Sequence, residues 1–234
     1  MDALLLPNLP ADAASWKELG LYLGSFDPLH LGHEWAADRL LDRCGRALLV
    51  VPGRHFDKSI RPGENASLAQ RLAMIGQFAR RAGGPVLRGV AGEVLFVRLA
   101  ARAAALFPRA EITFGMGDDT YGRLLRSPEY FVRAGLAWTA ADAESLAGLR
   151  RRALVFGRRE GGPGRVEVPA DLREISSTRV RAAVAELRGD PRHAAARLQE
   201  LRTLVAPDIL EFVLRSGLYV PAEARQVAFS GGRR

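Results

Sequence analysis

Short apolar runs alternate with longer amphipathic segments through most of the chain. Seven runs have the length and composition of buried β-strands, and they lie at residues 19–23, 47–51, 85–90, 111–114, 135–139, 153–156 and 165–168. Apolar residues at helical spacing predict helices between the earlier runs, at residues 33–43, 67–81, 93–107 and 119–126. Because strand and helix alternate, we predict an α/β fold with a doubly wound parallel sheet.

The pattern changes after residue 168, where helices alone are predicted, at residues 177–187, 192–201 and 207–216. We therefore expect a sheet core over residues 18–170 and a C-terminal helical extension over residues 171–220. A chain of 234 residues can bury one good core, so residues 1–220 are expected to form a single domain. Residues 221–234 end in Ser-Gly-Gly-Arg-Arg and are predicted to be a flexible tail.

Composition argues against a membrane protein and favours the cytoplasm. Hydrophobic residues make up 48% of the chain, but they never form the run of about eighteen that a spanning helix needs. The start, Met1-Asp2-Ala3, lacks the positively charged region of a signal peptide. The single cysteine, Cys44, permits no internal disulfide, as is usual in the cytoplasm.

The net charge of +8 raises the question of nucleic-acid binding. Arginines carry most of the positive charge, since Lys17 and Lys58 are the only lysines, and they are scattered along the chain. No aromatic stacking motif accompanies them. We therefore do not expect nucleic acid as a partner, although an RNA-binding protein stays open as an alternative. Polyanionic small substrates would account for part of the charge, and a homo-oligomer is compatible with the sequence.

Candidate chemistry is concentrated in residues 24–33, Gly-Ser-Phe-Asp-Pro-Leu-His-Leu-Gly-His, which join the first predicted strand to the first predicted helix. Gly24 and Ser25 would expose backbone N–H groups at the end of the strand. His30 and His33 would enter the first helical turn, where unpaired donors and the positive end of the helix dipole favour an anion. The segment therefore predicts a phosphate site.

Two further features of this segment shape the prediction. Asp27-Pro28 sets the turn between strand and helix, and Gly32 keeps the backbone between the histidines free of a side chain, so that a ligand can approach closely. The same histidines could instead cap the helix or bind zinc. The chain offers few further zinc ligands, namely His55, His193 and Cys44.

A second candidate site begins a later predicted helix, in the run Ile-Ser-Ser-Thr-Arg-Val-Arg over residues 175–181. Serine and threonine are ordinary helix N-caps. Arg179 and Arg181, however, lie in the first turn, where a cation is unfavourable against the helix dipole unless an anion neutralises it. Their placement predicts a second anion-binding turn.

The two segments resemble the G-x-F-D-P-x-H-x-G-H and I-S-S-T-x-x-R motifs of the nucleotidylyltransferase superfamily, in particular its nicotinate and nicotinamide mononucleotide adenylyltransferases. Residues 204–209 and 217–219 are similar to the terminal V-P-x-x-V and L-Y element of the same family. The resemblance implies a Rossmann-like fold. It also implies transfer of AMP from ATP to a mononucleotide phosphate, most simply nicotinate mononucleotide, with release of pyrophosphate, as a step of NAD biosynthesis.

The resemblance also implies roles for individual residues. ATP would be bound by ten residues: Gly24, Ser25, Phe26, His33, Gly117, Asp119, Ser177, Thr178, Arg179 and Arg181. The catalytic residues would be His30, His33, Lys58 and Arg179. The acceptor would contact Asp27, Arg71 and Tyr130. Mg²⁺ would arrive with ATP, without a metal site of the protein's own, and Asp119 could instead merely belong to the first turn of a helix.

The resemblance weakens in the acceptor half. The family's Ser-Tyr-Thr segment and the tryptophan after its G-x-D motif have no recognisable counterpart here, where residues 90–95 and 126–130 occupy those places. Tyr130 or Phe131 could supply an aromatic ring. Other interpretations therefore stay open: nicotinamide mononucleotide or another phosphate compound or alcohol as acceptor, or a non-catalytic ATP-binding regulatory protein.

Overall fold

The structure is a computed structural model and describes residues 4–53, 64–92, 95–157, 165–189 and 191–220. Its strands are β1 (Leu4–Leu5), β2 (Glu18–Leu23), β3 (Ala47–Pro52), β4 (Val86–Ala91), β5 (Glu111–Gly117), β6 (Ala153–Gly157) and β7 (Arg165–Glu167). Its α-helices are α1 (Leu31–Cys44), α2 (Leu68–Arg81), α3 (Phe96–Leu106), α4 (Asp118–Leu125), α5 (Ser127–Arg133), α6 (Ala140–Arg151), α7 (Ser177–Gly189), α8 (Ala194–Leu204) and α9 (Pro207–Arg215). The predicted tail and Lys58 lie outside the described residues.

The strands form one sheet in the order β1-β4-β3-β2-β5-β6-β7. Strands β2 to β7 pair in parallel, and β1 adds an antiparallel edge to β4. The order reverses between β2 and β5, as in doubly wound nucleotide-binding sheets, which bind ligands beyond the carboxyl ends of the strands at this reversal. The predicted α/β fold is confirmed, and the ends of β2 and β5, at Leu23 and Gly117, mark the expected site.

Two apolar clusters cover the two faces of the sheet, because successive strand residues point to opposite sides. In β3, Leu49 and Val51 face the cluster formed with α1, α2 and the C-terminal helices α7, α8 and α9. Leu48 and Val50 face the cluster formed with α3, α4, α5 and α6. The C-terminal extension therefore packs on the sheet face that also carries α1.

The predicted strand at residues 135–139 is wrong. Gly135 has φ 68°, in the left-handed region, and the Leu136 N–H donates to the Phe131 carbonyl at the end of α5. Trp138 packs edge-on against the buried Phe131 ring at 4.9 Å. The apolar side chains of this run thus cover the junction of α5 and α6 instead of pairing with another strand.

The other predicted elements occur near their expected bounds, whereas helices α5 and α6 and strand β1 were not predicted. Helix α6 begins with a capping box, in which Thr139 accepts from the Asp142 N–H and Asp142 accepts from the Thr139 N–H. This Thr-x-x-Asp spacing is readable in the sequence and would have located the helix. Helix α5 and strand β1 are short, and short elements carry little periodic signal.

A glycine in β2 lets α1 lie directly on the sheet at the reversal. A Cβ added to Gly20 would lie 2.7 Å from Cβ of Leu40, and one added to Gly115 on neighbouring β5 would lie 2.6 Å from Leu40 Cδ1. Leu40 is fully buried. The close approach places the start of α1 at the carboxyl ends of β2 and β5.

Replacing Gly20 by alanine should therefore lower the free energy of unfolding by about 1–3 kcal/mol, because Leu40 Cβ is fixed to the helix and cannot rotate away. Urea unfolding measures the change. Gly122→Ala in α4 is the matched control, since a Cβ there meets nothing within 4 Å and should stabilise the helix by about 0.5–1 kcal/mol. Equal effects of the two substitutions would contradict the packing explanation.

Candidate functional site

The histidine pair lies at the start of α1, as predicted. His30 is the N-cap residue, and its Nδ1 accepts a hydrogen bond from the His33 N–H at 3.3 Å. The two imidazole rings stack with their centroids 3.6 Å apart. Because Nδ1 of His30 is an acceptor, the neutral ring carries its proton on Nε2. The start of the helix therefore fixes the orientation of the His30 ring.

The glycines of this segment serve the protein's own side chains. A Cβ on Gly24 would lie 2.7 Å from the Phe26 ring, which is fully buried, and one on Gly32 would lie 3.2 Å from the His30 ring. The Gly24 N–H, predicted to face phosphate, donates to the Val50 carbonyl at 3.0 Å. Gly32 thus makes room for the imidazole of His30, and the Gly24 N–H is used by the sheet.

The second motif packs directly against the first. Ser176 caps α7 by accepting from the Arg179 N–H at 3.2 Å. The Ser177 hydroxyl donates to the Pro28 carbonyl at 3.1 Å, and Nη1 of Arg181 donates to the Asp27 carbonyl at 2.6 Å. The structure therefore brings the two sequence motifs together at the loop that precedes α1.

The two arginines of α7 point to different places. Arg181 contacts the Asp27 carbonyl, and its Nη2 donates to Thr178 Oγ1 at 3.2 Å. Arg179 instead donates to Glu200 of α8, with Nη2 3.1 Å from Oε1. Arg197 and Arg179 both donate to Glu200 and hold its pKa below the ordinary value. Arg181 is thus the arginine on the side of the histidine loop.

Asp27 is buried and surrounded by donors. Its Oδ1 accepts from the Ala66 N–H and from the Tyr219 hydroxyl, each at 2.8 Å, and its Oδ2 accepts from Asn65 Nδ2 at 2.6 Å. Nη1 of Arg181 lies 3.8 Å from the same Oδ2. Both carboxylate oxygens therefore have partners within the protein.

Arg71, predicted to contact the acceptor, lies beneath the loop. Its side chain is buried, and Nη1 donates to the Ser25 carbonyl at 3.4 Å. Burial lowers the pKa of Arg71, and the nearby Asp27 carboxylate opposes this shift. These contacts suit a residue that supports the loop from inside.

Two aromatic residues near Asp27 have left-handed backbones. Phe26 has φ 48° and Tyr219 has φ 59°. Such a conformation costs a non-glycine residue about 1–3 kcal/mol and persists where surrounding contacts enforce it. Tyr219 was not predicted as a site residue. The available signal for Tyr219 was its position in the Leu-Tyr element, which resembles the terminal element of the family.

The carboxyl end of β5 supplies the remaining predicted ATP contacts. Gly117 is the N-cap of α4, and Asp118 and Asp119 form the first turn. Asp118 pairs with Nη1 of Arg165 in β7 at 2.8 Å, whereas Asp119 is exposed. Of the two carboxylates, Asp119 is the more accessible to a ligand at the sheet reversal.

Tyr130 lies on the other face of the sheet from α1. It packs at the edge of the cluster formed by α3 to α6, with the Arg133 guanidinium 5.5 Å from its ring centroid. Phe131 is fully buried in that cluster. These contacts account for both aromatic residues by packing.

Among the residues that the structure describes, no group of three or more His, Cys, Asp or Glu side chains is arranged to hold a metal ion. No helix among the described residues is long and apolar enough to cross a membrane.

A parallel sheet whose reversal lies beside the starts of α1 and α7 is the arrangement of nucleotide-binding α/β proteins. A family profile described as cytidylyltransferase-like matches residues 21–183. The chain therefore belongs to the cytidylyltransferase-like family of nucleotidyltransferases.

Two relatives have sequences similar to that of the chain. Proteins from two strains of Thermus thermophilus, each named "Probable nicotinate-nucleotide adenylyltransferase", are 33% identical to the chain over 128 residues. The match covers 51% of this chain and 68% of each relative. The predicted membership of the nucleotidylyltransferase superfamily is confirmed.

Solved structures show the same fold. The nicotinic acid mononucleotide adenylyltransferase of Plasmodium falciparum, complexed with NaAD, superposes with a TM-score of 0.59 at 14% identity. Its complex with APC gives a TM-score of 0.62 at 16% identity. Each comparison covers 87% of this chain and 97% of the other.

Proposed function

We propose that the chain transfers AMP from ATP to nicotinate mononucleotide, forming nicotinate adenine dinucleotide and pyrophosphate in NAD biosynthesis. The main support is the contact of Ser177 and Arg181 with the loop before His30. This contact puts the starts of α1 and α7 side by side at the sheet reversal, and two adjacent helix N-termini would suit one triphosphate. The names of the relatives support the choice of nicotinate mononucleotide.

The reaction needs positioning and charge stabilisation rather than an enzyme nucleophile. An oxygen of the mononucleotide phosphate attacks the α-phosphorus of ATP. The bond from that phosphorus to the oxygen bridging the α- and β-phosphates breaks, and its electron pair leaves with pyrophosphate. The attacking phosphate is already ionised at neutral pH, so a general base has no proton to remove. The rate acceleration therefore comes from placing the attacking oxygen in line with the P–O bond that breaks.

Different residues would bind the different parts of ATP. His30 and His33 donate to the α-phosphate as charge builds there, with Ser25 and Phe26 shaping the loop. The start of α7, with Ser177, Thr178 and Arg181, binds the β- and γ-phosphates, and Arg179 beside Glu200 is a secondary contact. Gly117 and Asp119 receive the ribose. Lys58 remains a proposed phosphate ligand outside the described residues.

Mg²⁺ is proposed to enter with ATP. The donor groups fit this arrangement, because the arginines and helix N-termini at the site suit the oxygens of a triphosphate. When bound to the triphosphate, the ion would neutralise part of its charge.

For the acceptor, we propose that Asp27 and Arg71 act by holding the loop. Contact of Tyr130 with the acceptor stays a prediction from the sequence, since its ring packs with α3 to α6 on the other face of the sheet. We also propose one domain over residues 1–220, because residues of α7, α8 and α9 share an apolar cluster with the sheet. A cytoplasmic location accords with the single cysteine, Cys44, which is buried. A homo-oligomer is compatible with the proposal.

A pyrophosphate-release assay tests the function. With ATP, we expect turnover with nicotinate mononucleotide to exceed that with nicotinamide mononucleotide and phosphopantetheine, and mass spectrometry should detect nicotinate adenine dinucleotide. CTP in place of ATP is the donor control and should support little turnover. Binding of ATP by calorimetry without pyrophosphate release for any acceptor would replace this proposal with a regulatory nucleotide-binding function.

A further inference from the structure

One buried carboxylate joins the histidine loop to three distant parts of the chain. The partners of Asp27 are Asn65 and Ala66, which precede α2, Arg181 in α7, and Tyr219, which follows α9. Asp27 is 4% exposed and lies three residues before His30. The position of the loop is therefore set by contacts that come from both ends of the fold.

The Tyr219 hydroxyl is the contact from the C-terminal end. Tyr219 is 3% exposed, and its hydroxyl lies 2.8 Å from Asp27 Oδ1. Burial, together with the Asp27 carboxylate, raises the pKa of Tyr219, so the hydroxyl keeps its proton and donates at all physiological pH values. A hydrogen bond from a buried hydroxyl to a carboxylate is short and directional.

The backbone of Asp27 also contacts the second segment that would hold ATP. The peptide carbonyl of Asp27 accepts from Arg181 at 2.6 Å, and the Pro28 carbonyl accepts from Ser177. The backbone of Phe26, one residue earlier, is in the left-handed region, as is that of Tyr219. A shift of Asp27 would therefore move the loop that precedes His30 and its contact with Arg181 together.

We propose that Tyr219 is a positioning residue for adenylyl transfer, acting through Asp27 to fix the histidine loop against Arg181. This inference rests on the proposed function. Tyr219 touches neither ATP nor acceptor in this scheme. Its hydroxyl fixes the geometry in which the histidines meet the α-phosphate, so its effect should fall on kcat and on the KM for ATP.

Tyr219→Phe tests the proposal, since it removes the donor and keeps the ring. We expect kcat/KM for ATP to fall about ten- to a hundredfold, as for a small misplacement of reacting groups. The KM for the mononucleotide should change much less. Val213→Ala is the matched control, because Val213 is a buried residue of α9 whose side chain cannot donate a hydrogen bond to Asp27 and its truncation also loosens the C-terminal helices.

Rates are compared well below both melting temperatures. Tyr219→Phe with activity equal to that of Val213→Ala would overturn the proposal. A double-mutant cycle adds a second readout: if Tyr219 acts through Asp27, adding Tyr219→Phe to Asp27→Asn should cost little further activity. Additive losses would contradict the inference. If the unmodified protein neither binds ATP nor releases pyrophosphate, the proposed function itself fails, which is a distinct result.

Discussion

His33→Ala should lower kcat for pyrophosphate release by about a hundredfold or more, because it would remove the preorganised donor that we propose for the α-phosphate. His33 is the third residue of α1, and its ring packs between His30 and Phe26, with centroid distances of 3.6 Å and 5.1 Å. The backbone N–H that bonds His30 Nδ1 remains in the variant. Helix capping should therefore survive while the donor is lost.

A second substitution separates chemistry from packing. His33→Phe keeps an aromatic ring against Phe26 but has no donor, so its kcat should fall as far as that of the alanine variant. Circular dichroism and thermal melting should show both variants folded, and calorimetry should show that ATP still binds. A phenylalanine variant that retains turnover within a few-fold of the original would refute a catalytic role of His33.

The sheet was predictable because its central strands β2, β3, β5 and β6 are mostly buried and therefore appear as apolar runs in the sequence. The run at residues 135–139 has the same composition but packs on α5, with Trp138 against Phe131. An apolar run shows that side chains are buried and does not show whether the backbone has a neighbouring strand. The signal in the sequence that a helix begins here was the capping box of Thr139 and Asp142.

The parts of the candidate site that lie at helix starts were predictable from the sequence. The placement of His30 and His33, and of the arginine turn, follows from local rules for helix ends. Contacts between distant segments were not predictable in this way, since Tyr219 lies 192 positions after Asp27. The sequence predicted that the Gly24 N–H faces phosphate, but this N–H donates to Val50 next to the pairing of β2 with β3. Strand pairing is also a long-range feature, so the sequence did not show it.

The different contacts of Arg179 and Arg181 also depend on a distant segment and were not predictable from the sequence. Arg179 is the third and Arg181 the fifth residue of α7, and the sequence alone predicts the same anion-binding role for both. The structure separates them through a neighbour on α8, Glu200, which pairs with Arg179. Arg181 is left on the loop side, where its fork spans the Asp27 carbonyl and Thr178. The two guanidinium groups should therefore contribute unequally to nucleotide binding.

Arg181→Ala should lower kcat/KM for ATP by about ten- to a hundredfold, the equivalent of one charge-assisted hydrogen bond of about 1.5–3 kcal/mol. Arg181→Lys keeps the charge but cannot span two acceptors as the planar fork does, so it should recover only part of the loss. Pyrophosphate release at varied ATP gives the values, and thermal melting shows whether the loop contact to Asp27 also affects stability.

Arg179→Ala is the matched comparison on the same helix turn. Its side chain is 46% exposed and paired with Glu200, and exposed pairs contribute about 0–1 kcal/mol to stability. We therefore expect both its stability change and its loss in kcat/KM to be small beside those of Arg181→Ala. Losses in the reverse order would mean that Arg179 leaves Glu200 when ATP binds and becomes the principal triphosphate ligand, since only a bound anion could compete with that carboxylate.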